Sequence, residues 1–369
     1  MNMHNNKHPI VINGQFTARR TTGQERFAYE IVCEIDKICS VGDFELVVPT
    51  TARNVPLLKN IPIIKYGKAK GSLWEQTFFT WYTIRHNAMS LNLCSIMPLL
   101  KPGVICIHDL SYKVNPQYFK TFYAKISQLW HKIQYHFAWC FSPVIFTVSE
   151  YSKQQMVDIY HVKPERIIVI GNGWEHFERI KDDESLKVRK PYLFVRPYFF
   201  SLGSLAPNKN IQWILRVAKL HPQYNFFIAG NANLKAYGED YKECDYPNVK
   251  FLGYISDGEI KYLMRHCKAF IFPSFFEGFG IPPLEAMSVG AKVILAKSSC
   301  LPEIFKNSGY YIDPYNSNID LEELLSKQIE PAEEVLNKYK FGRFAKLIYN
   351  ALCLSLIHIS EPTRLRRIS

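Results

Sequence analysis

Four side chains combine a reactive type with a setting that could use it. Glu277 and Glu285 lie eight positions apart in FPSFFEGFGIPPLEAMSVGAKVILA, residues 272–296. A carboxylate in a turn and another one turn into the following helix can hold two sets of hydroxyls. The backbone amides between them can then hold phosphate. Gly278 and Gly280 allow that close approach, and Pro282–Pro283 suit a first helical turn, where a missing N–H costs nothing. The start of such a helix carries partial positive charge suited to a diphosphate. Lys209 lies in FFSLGSLAPNKNIQWIL, residues 199–215, after an apolar run ending at Gly203 and before a helical pattern opening near Asn210. A lysine at such a junction is a compact point charge for an anion. His108, followed by Asp109, closes the apolar run VICIHD and so belongs at the carboxyl edge of a sheet.

The elements that must position these groups are legible as short β-branched runs alternating with amphipathic stretches. Strands are expected at 10–13, 44–48, 61–65, 104–108, 144–148 and 167–170, then at 199–203, 225–229, 249–252, 269–272 and 292–296. Helical patterns span 25–39, 118–138, 210–220, 257–267 and 283–289. Continuous apolar strands alternating with helices imply parallel sheets with crossover connections. The pattern runs twice, which predicts an α/β chain of two Rossmann-like, doubly wound domains. Ligands bind beyond the carboxyl ends of such strands, so the expected site is a cleft between two facing domains. The expected boundaries are 1–175 for the first domain, 176–196 for a polar hinge and 197–330 for the second. A C-terminal helix over 331–353 is expected to cross back to the first domain.

Composition narrows the function. The 369 residues are 47% hydrophobic, enough for packed cores, and carry a formal charge of +12. Between residues 51 and 140 there are 11 Lys or Arg against two acids, Glu75 and Asp109. Nine cysteines stand singly with no Cys-x-x-Cys pair, which reads as a reduced, cytoplasmic chain. The polar start and the short, interrupted apolar run 137–148 predict neither a secretory signal nor a membrane span. No Asp-x-Asp cluster or His/Cys spacing suggests a metal site. No Gly-x-Gly-x-x-Gly follows a strand, against a nucleotide-cofactor dehydrogenase, and no nucleic-acid motif accompanies the charge.

Glu277-x7-Glu285 within EGFGIPPLEA, with Leu301–Pro302–Glu303 after it, resembles the paired-glutamate signature of retaining GT-B glycosyltransferases of family 4. SLWEQ (72–76), TVSEYSK (147–153) and VIGNG (169–173) are similar to bacterial mannosyl- and rhamnosyl-type members that build surface polysaccharide. The resemblance covers nearly all of residues 9–352. It implies transfer of a hexosyl group from a GDP-, UDP- or dTDP-linked sugar, with no metal or other cofactor required. The acceptor would be a glycan or a lipid-diphosphate-linked saccharide, and no nucleic acid would be a partner. Glu277, Lys209 and His108 would be catalytic, Glu277 on the donor sugar's hydroxyls, Lys209 on the diphosphate and His108 on the transferred sugar. Donor contacts would come from Gly203, Ser204, Lys209, Gly278, Phe279, Gly280, Ile281 and Glu285, the last on the ribose. INGQFTARRTTGQERF (12–27) is similar to the family's first strand and the flexible loop that closes over acceptor and phosphates, making Gly14, Arg20 and Gly23 acceptor-loop candidates. Ser204 and Asn208 stand where many members carry arginine. A degenerate nucleotide-sugar-binding protein with a regulatory or scaffolding role is therefore the alternative.

Two further segments carry expectations. Residues 118–138 place Phe119, Phe122, Ile126, Leu129 and Ile133 on one helical face beside Lys120, Lys125 and Lys132, with no acid in the run. That face reads either as packing on the first sheet or as a peripheral contact with anionic membrane at its inner, cytoplasmic side. Residues 354–369, opening LSLIHISEPTR, read as a non-native, adapter-like tail without helical period.

Overall fold

The computed structural model describes residues 9–203, 206–230 and 246–360, with side chains to residue 353. The chain divides into two compact units, 1–172 joined by 341–369, and 173–340. Each is described by itself.

Among the described residues, the first unit is built on a seven-stranded parallel sheet in the order β3-β2-β1-β4-β5-β6-β7. The strands are β1 (Ile10–Asn13), β2 (Phe44–Val48), β3 (Ile63–Lys65), β4 (Ser90–Asn92), β5 (Val104–Ile107), β6 (Ile145–Thr147) and β7 (Ile167–Val169). Successive crossovers run outward from β1 to β3 on one side and from β4 to β7 on the other. The order therefore reverses between β1 and β4, which is where open parallel sheets leave a crevice. β4 escapes periodicity because two of its three residues, Ser90 and Asn92, are polar. Gly14, directly after β1, passes so close to β2 that a Cβ would lie 2.3 Å from the Val47 carbonyl oxygen.

The helix Gly23–Ile38 opens with a capping box in which Thr22 and Glu25 satisfy each other's backbone donors. It buries Phe27, Ala28, Ile31, Val32 and Ile35. The helix Phe341–Ser360 packs against it, and Tyr349 donates to Asp43 Oδ2 at 2.9 Å. Helical backbone thus continues through residues 354–360, which sequence had set aside as tail. Residues 361–369 lie outside the described residues.

The second unit holds, among the described residues, a six-stranded parallel sheet in the order β10-β9-β8-β11-β12-β13. Its strands are β8 (Tyr198–Leu202), β9 (Asn225–Ala229), β10 (Val249–Gly253), β11 (Phe270–Phe272), β12 (Val293–Ala296) and β13 (Tyr310–Ile312). Phe199, Phe200, Phe226, Phe227, Phe270 and Phe272 are fully buried across it. Each such ring contributes about 1.5–3 kcal/mol relative to exposure. Here the order reverses between β8 and β11.

The segment 176–196, expected as a hinge, packs as part of this second unit. The buried Lys261 donates to the carbonyls of Phe177 at 2.8 Å and Ile180 at 2.6 Å. Asp183 N donates to Gly258 O, and Arg189 pairs with Glu259. Its polar residues are satisfied by specific partners, so a polar composition here did not mean a free linker. The C-terminal region likewise divides: Glu333–Lys338 is a helix of the second unit, and the return to the first unit begins at Phe341.

Candidate functional site

Two loops leave the carboxyl ends of β8 and β11, the pair at which the second sheet reverses. After β8 the chain passes Gly203 and a short 3-10 turn, Pro207–Lys209. Asn210 then takes a left-handed conformation, φ 52°, and its side-chain amide donates to Pro273 O at 3.1 Å and Pro314 O at 2.8 Å. Asparagine tolerates this conformation where β-branched residues would not. Asn208, which stands in place of an arginine, ties the loops together: Phe275 N donates to its carbonyl, and its side chain donates to Phe276 O.

This scaffold brings Lys209 Nζ to 2.6 Å from Glu277 Oε1, with the ammonium 5.2 Å from the Phe272 ring centre. Glu277 is held from behind. Its N–H donates to Ser299 Oγ, and its carbonyl accepts from Cys300 Sγ. Beside it, Ser274 is fully buried and its hydroxyl has no partner among the described residues.

Gly280, φ 99°, precedes the helix Ile281–Ser288. Any Cβ there would meet Leu301 Cδ2 at 2.9 Å, in a backbone conformation that already excludes most residues. Phe279 differs from the expectation: its side chain is buried, edge-on to Tyr339 with ring centres 5.2 Å apart. Only its backbone faces a ligand role. Ile281 is half-buried at the helix start. A Cβ at Gly203 would come into ordinary contact with the Lys209 stem, and Ser204 lies outside the described residues.

Glu285 is buried and shares a 2.7 Å contact with His176 Nε2. His176 was missed because it sits in the segment read as a hinge, 109 residues away. The dipeptide Glu175–His176, one residue beyond VIGNG, was the available signal.

The first unit assembles a second polar cluster, where β1, β4 and β5 end. His108 is buried, stacks edge-on against Phe27 with ring centres 4.9 Å apart, and places Nε2 2.9 Å from the Leu93 carbonyl. A carbonyl only accepts, so Nε2 carries the proton and the neutral ring presents Nδ1 as an acceptor. Burial depresses the His108 pKa, against opposing effects of the Leu93 bond, Asp109 and Glu25.

Arg20, one of the three loop candidates, is exposed, and its neighbour Arg19 turns inward instead. Gly23 is the exposed first residue of its helix. Within the segment matched to that loop, Gly14–Ala18 forms a 3-10 helix, with Asn13 accepting from Gln15 N at its start, and residues 19–22 are neither helix nor strand.

The helix Phe122–Phe141 turns its apolar stripe outward. Phe122 is 74% exposed, Leu129 58% and Ile126 50%, and the packed side is Gln134, Tyr135 and Ala138. Phe119 precedes the helix and packs on the core. Among the described residues no helix is long and apolar enough to cross a membrane.

The fold is that of known proteins. HepE of Anabaena, solved with UDP and glucose, superposes with a TM-score of 0.67 at 19% identity, covering 94% of this chain and 100% of that one. WaaG, a glycosyltransferase involved in lipopolysaccharide biosynthesis, gives 0.63 at 15% identity, with 91% and 94% covered. These likenesses show a GT-B fold. Residues 186–340 match the family model for glycosyl transferases group 1, so the second unit carries a group 1 glycosyltransferase domain.

Among curated relatives, O-antigen chain mannosyltransferase B of Escherichia coli is 27% identical over 229 residues. That match spans 58% of this chain and 58% of the relative. O-antigen chain mannosyltransferase RfbU of Salmonella typhimurium is 27% identical over 270 residues, covering 70% of this chain and 71% of it.

Proposed function

We propose that this protein is a retaining hexosyltransferase that moves a mannose-like sugar from a nucleotide-sugar donor to a glycan or lipid-linked saccharide. The observation that carries the reading is the Lys209–Glu277 pair, held beside the N-terminus of the helix Ile281–Ser288 at the reversal point of the second sheet. The group 1 match over that unit and the mannosyltransferase relatives support it.

In this reaction the bond from the anomeric carbon to the diphosphate breaks, an acceptor hydroxyl forms the new bond on the same face, and the hydroxyl proton passes to the leaving diphosphate. Negative charge develops on the leaving diphosphate. Lys209, the backbone around Gly278–Gly280 and the helix N-terminus would receive it without a metal ion. Glu277 then leaves Lys209 for the donor sugar's hydroxyls, and Glu285, oriented by His176, takes the ribose. His108 would accept from a hydroxyl of the transferred sugar through Nδ1. We further propose that the enzyme works at the cytoplasmic face of a membrane, with the exposed apolar and basic helix Phe122–Phe141 in contact with anionic lipid.

The test is a panel of GDP-mannose, dTDP-rhamnose, UDP-glucose and UDP-galactose with divalent ions chelated. Thermal stabilisation by one donor and slow release of its nucleoside diphosphate are expected. A flat response to every donor would reject the reading.

A further inference from the structure

The SLWEQ segment is not accounted for by the donor site, and the structure shows what each of its last three residues does. Trp74 is fully buried, stacked on Phe79, and its Nε1 donates to Tyr66 O at 2.6 Å. Gln76 bridges to the next loop, donating to Met97 O and accepting from Leu99 N. From Glu75 the helix widens into a π-helical turn, Glu75–Phe79, an irregularity often found at functional sites. Held from both sides, Glu75 is delivered into the crevice between β1 and β4.

Glu75 is 1% exposed. Its Oε2 accepts from Arg19 Nη2 at 3.0 Å, and its Oε1 from Asn13 Nδ2 at 3.3 Å. Asn13 also donates to Asn92 Oδ1 at 3.1 Å, so the last residues of β1 and β4 are joined through it. Arg19 Nη1 lies 3.9 Å from Glu25 Oε1. Close by in sequence, the side-chain oxygen of the buried Gln15 has no partner among the described residues. Burial raises the Glu75 pKa, opposed by Arg19 and Asn13.

A buried ion pair is a poor stabiliser compared with apolar packing, so its presence at the reversal of a parallel sheet calls for a ligand. Both carboxylate oxygens are already engaged, whereas Arg19 is about a quarter exposed. Of its five side-chain N–H groups, one is hydrogen-bonded among the described residues. The guanidinium faces two carboxylates, so an incoming phosphate would meet net repulsion. Hydroxyls of a neutral sugar meet a fixed donor plane with acceptors at its edge.

We infer that the Asn13–Arg19–Glu25–Glu75 cluster is a subsite for a neutral pyranoside, with Arg19 in contact with its hydroxyls and Glu75 as the positioning residue. This deepens the proposed function, on which it rests, by assigning the acceptor sugar to this crevice and excluding a phosphorylated one. Ligand-observed NMR on the full chain, with no nucleotide present, tests it directly. The probes are methyl α-mannoside, methyl α-rhamnoside, methyl α-glucoside and mannose 6-phosphate.

At least one neutral glycoside should bind, and mannose 6-phosphate should bind more weakly. Arg19→Gln should weaken the glycoside at least tenfold, and Arg19→Lys should recover part of the loss. Glu75→Gln should act in the same direction, while thermal stabilisation by the nucleotide donor stays unchanged in all three variants. Undiminished glycoside binding by Arg19→Gln with a wild-type melting temperature would overturn the inference. So would preference for the phosphate, or no neutral glycoside bound. Because the donor panel reads the second unit separately, its failure and the failure of this subsite are distinguishable.

Discussion

Lys209 Nζ and Glu277 Oε1 are 2.6 Å apart, although 68 residues separate them. Each loop end therefore holds the other's charge in place, and in the proposed reaction a donor would part them as its diphosphate meets Lys209 and its sugar meets Glu277. Lys209→Ala and Glu277→Ala should each lower kcat by about 10²–10³-fold, the scale of removing one preorganised charge contact. Because the two act as a unit, the double variant should be little worse than the poorer single one. Circular dichroism should be unchanged. Near-normal rates in either single variant would remove the pair from the reaction.

His108 makes folding stability depend on pH. Burial keeps its folded pKa below the ordinary 6.5, so the unfolded chain takes up a proton first as pH falls. Its contribution is fully present above about 6.5 and is lost as pH drops from there toward the folded value. The fall in Tm between pH 7.5 and 5.5 should be smaller in His108→Gln than in the parent chain. An identical fall in both would show that His108 does not set this slope.

The outward stripe of the helix Phe122–Phe141 predicts salt-sensitive binding to phosphatidylglycerol vesicles and none to phosphatidylcholine. Lys120, Lys125 and Lys132 are all exposed along or just before it. Each contributes about 1 kcal/mol near an anionic surface, so replacing all three with Glu should abolish co-sedimentation. Recovery in the supernatant at every salt concentration, for the unaltered chain, would count against this surface.

The helix Phe341–Ser360 is a structural part of the first unit, with Ala345, Ile348 and Leu352 fully buried. Leu352→Ala should cost about 2–5 kcal/mol. Ending the chain at Lys340 should abolish cooperative melting of that unit. Removing residues 361–369 should leave Tm and activity unchanged, which differential scanning calorimetry with a turnover assay would check.

Local order was readable where it is locally encoded. Every strand expected from an apolar run is present within about two residues, because a buried parallel strand needs only a short apolar stretch bounded by turn residues. β4 and β13 were missed although β3, β6, β7 and β11 are equally short: Ser90–Asn92 is mostly polar, and Tyr310–Ile312 is a short run beginning with two tyrosines directly after Gly309. Lys209 and Glu277 were legible for a related reason: each lies in the loop between a strand and the next helix, where glycines and prolines mark the helix opening.

The partnerships were decided by tertiary structure alone. Arg19 meets Glu75 across 56 positions, and His176 meets Glu285 across 109. Those meetings depend on which strands lie side by side and where the order reverses, and a spacing along the chain carries no such information. The helix Phe122–Phe141 shows the same division. Its period defined two faces, but the sheet it packs on selected Gln134, Tyr135 and Ala138 for burial and left the more apolar stripe outside. Residue pattern determines what an element can bury, and the topology around it determines which side is covered.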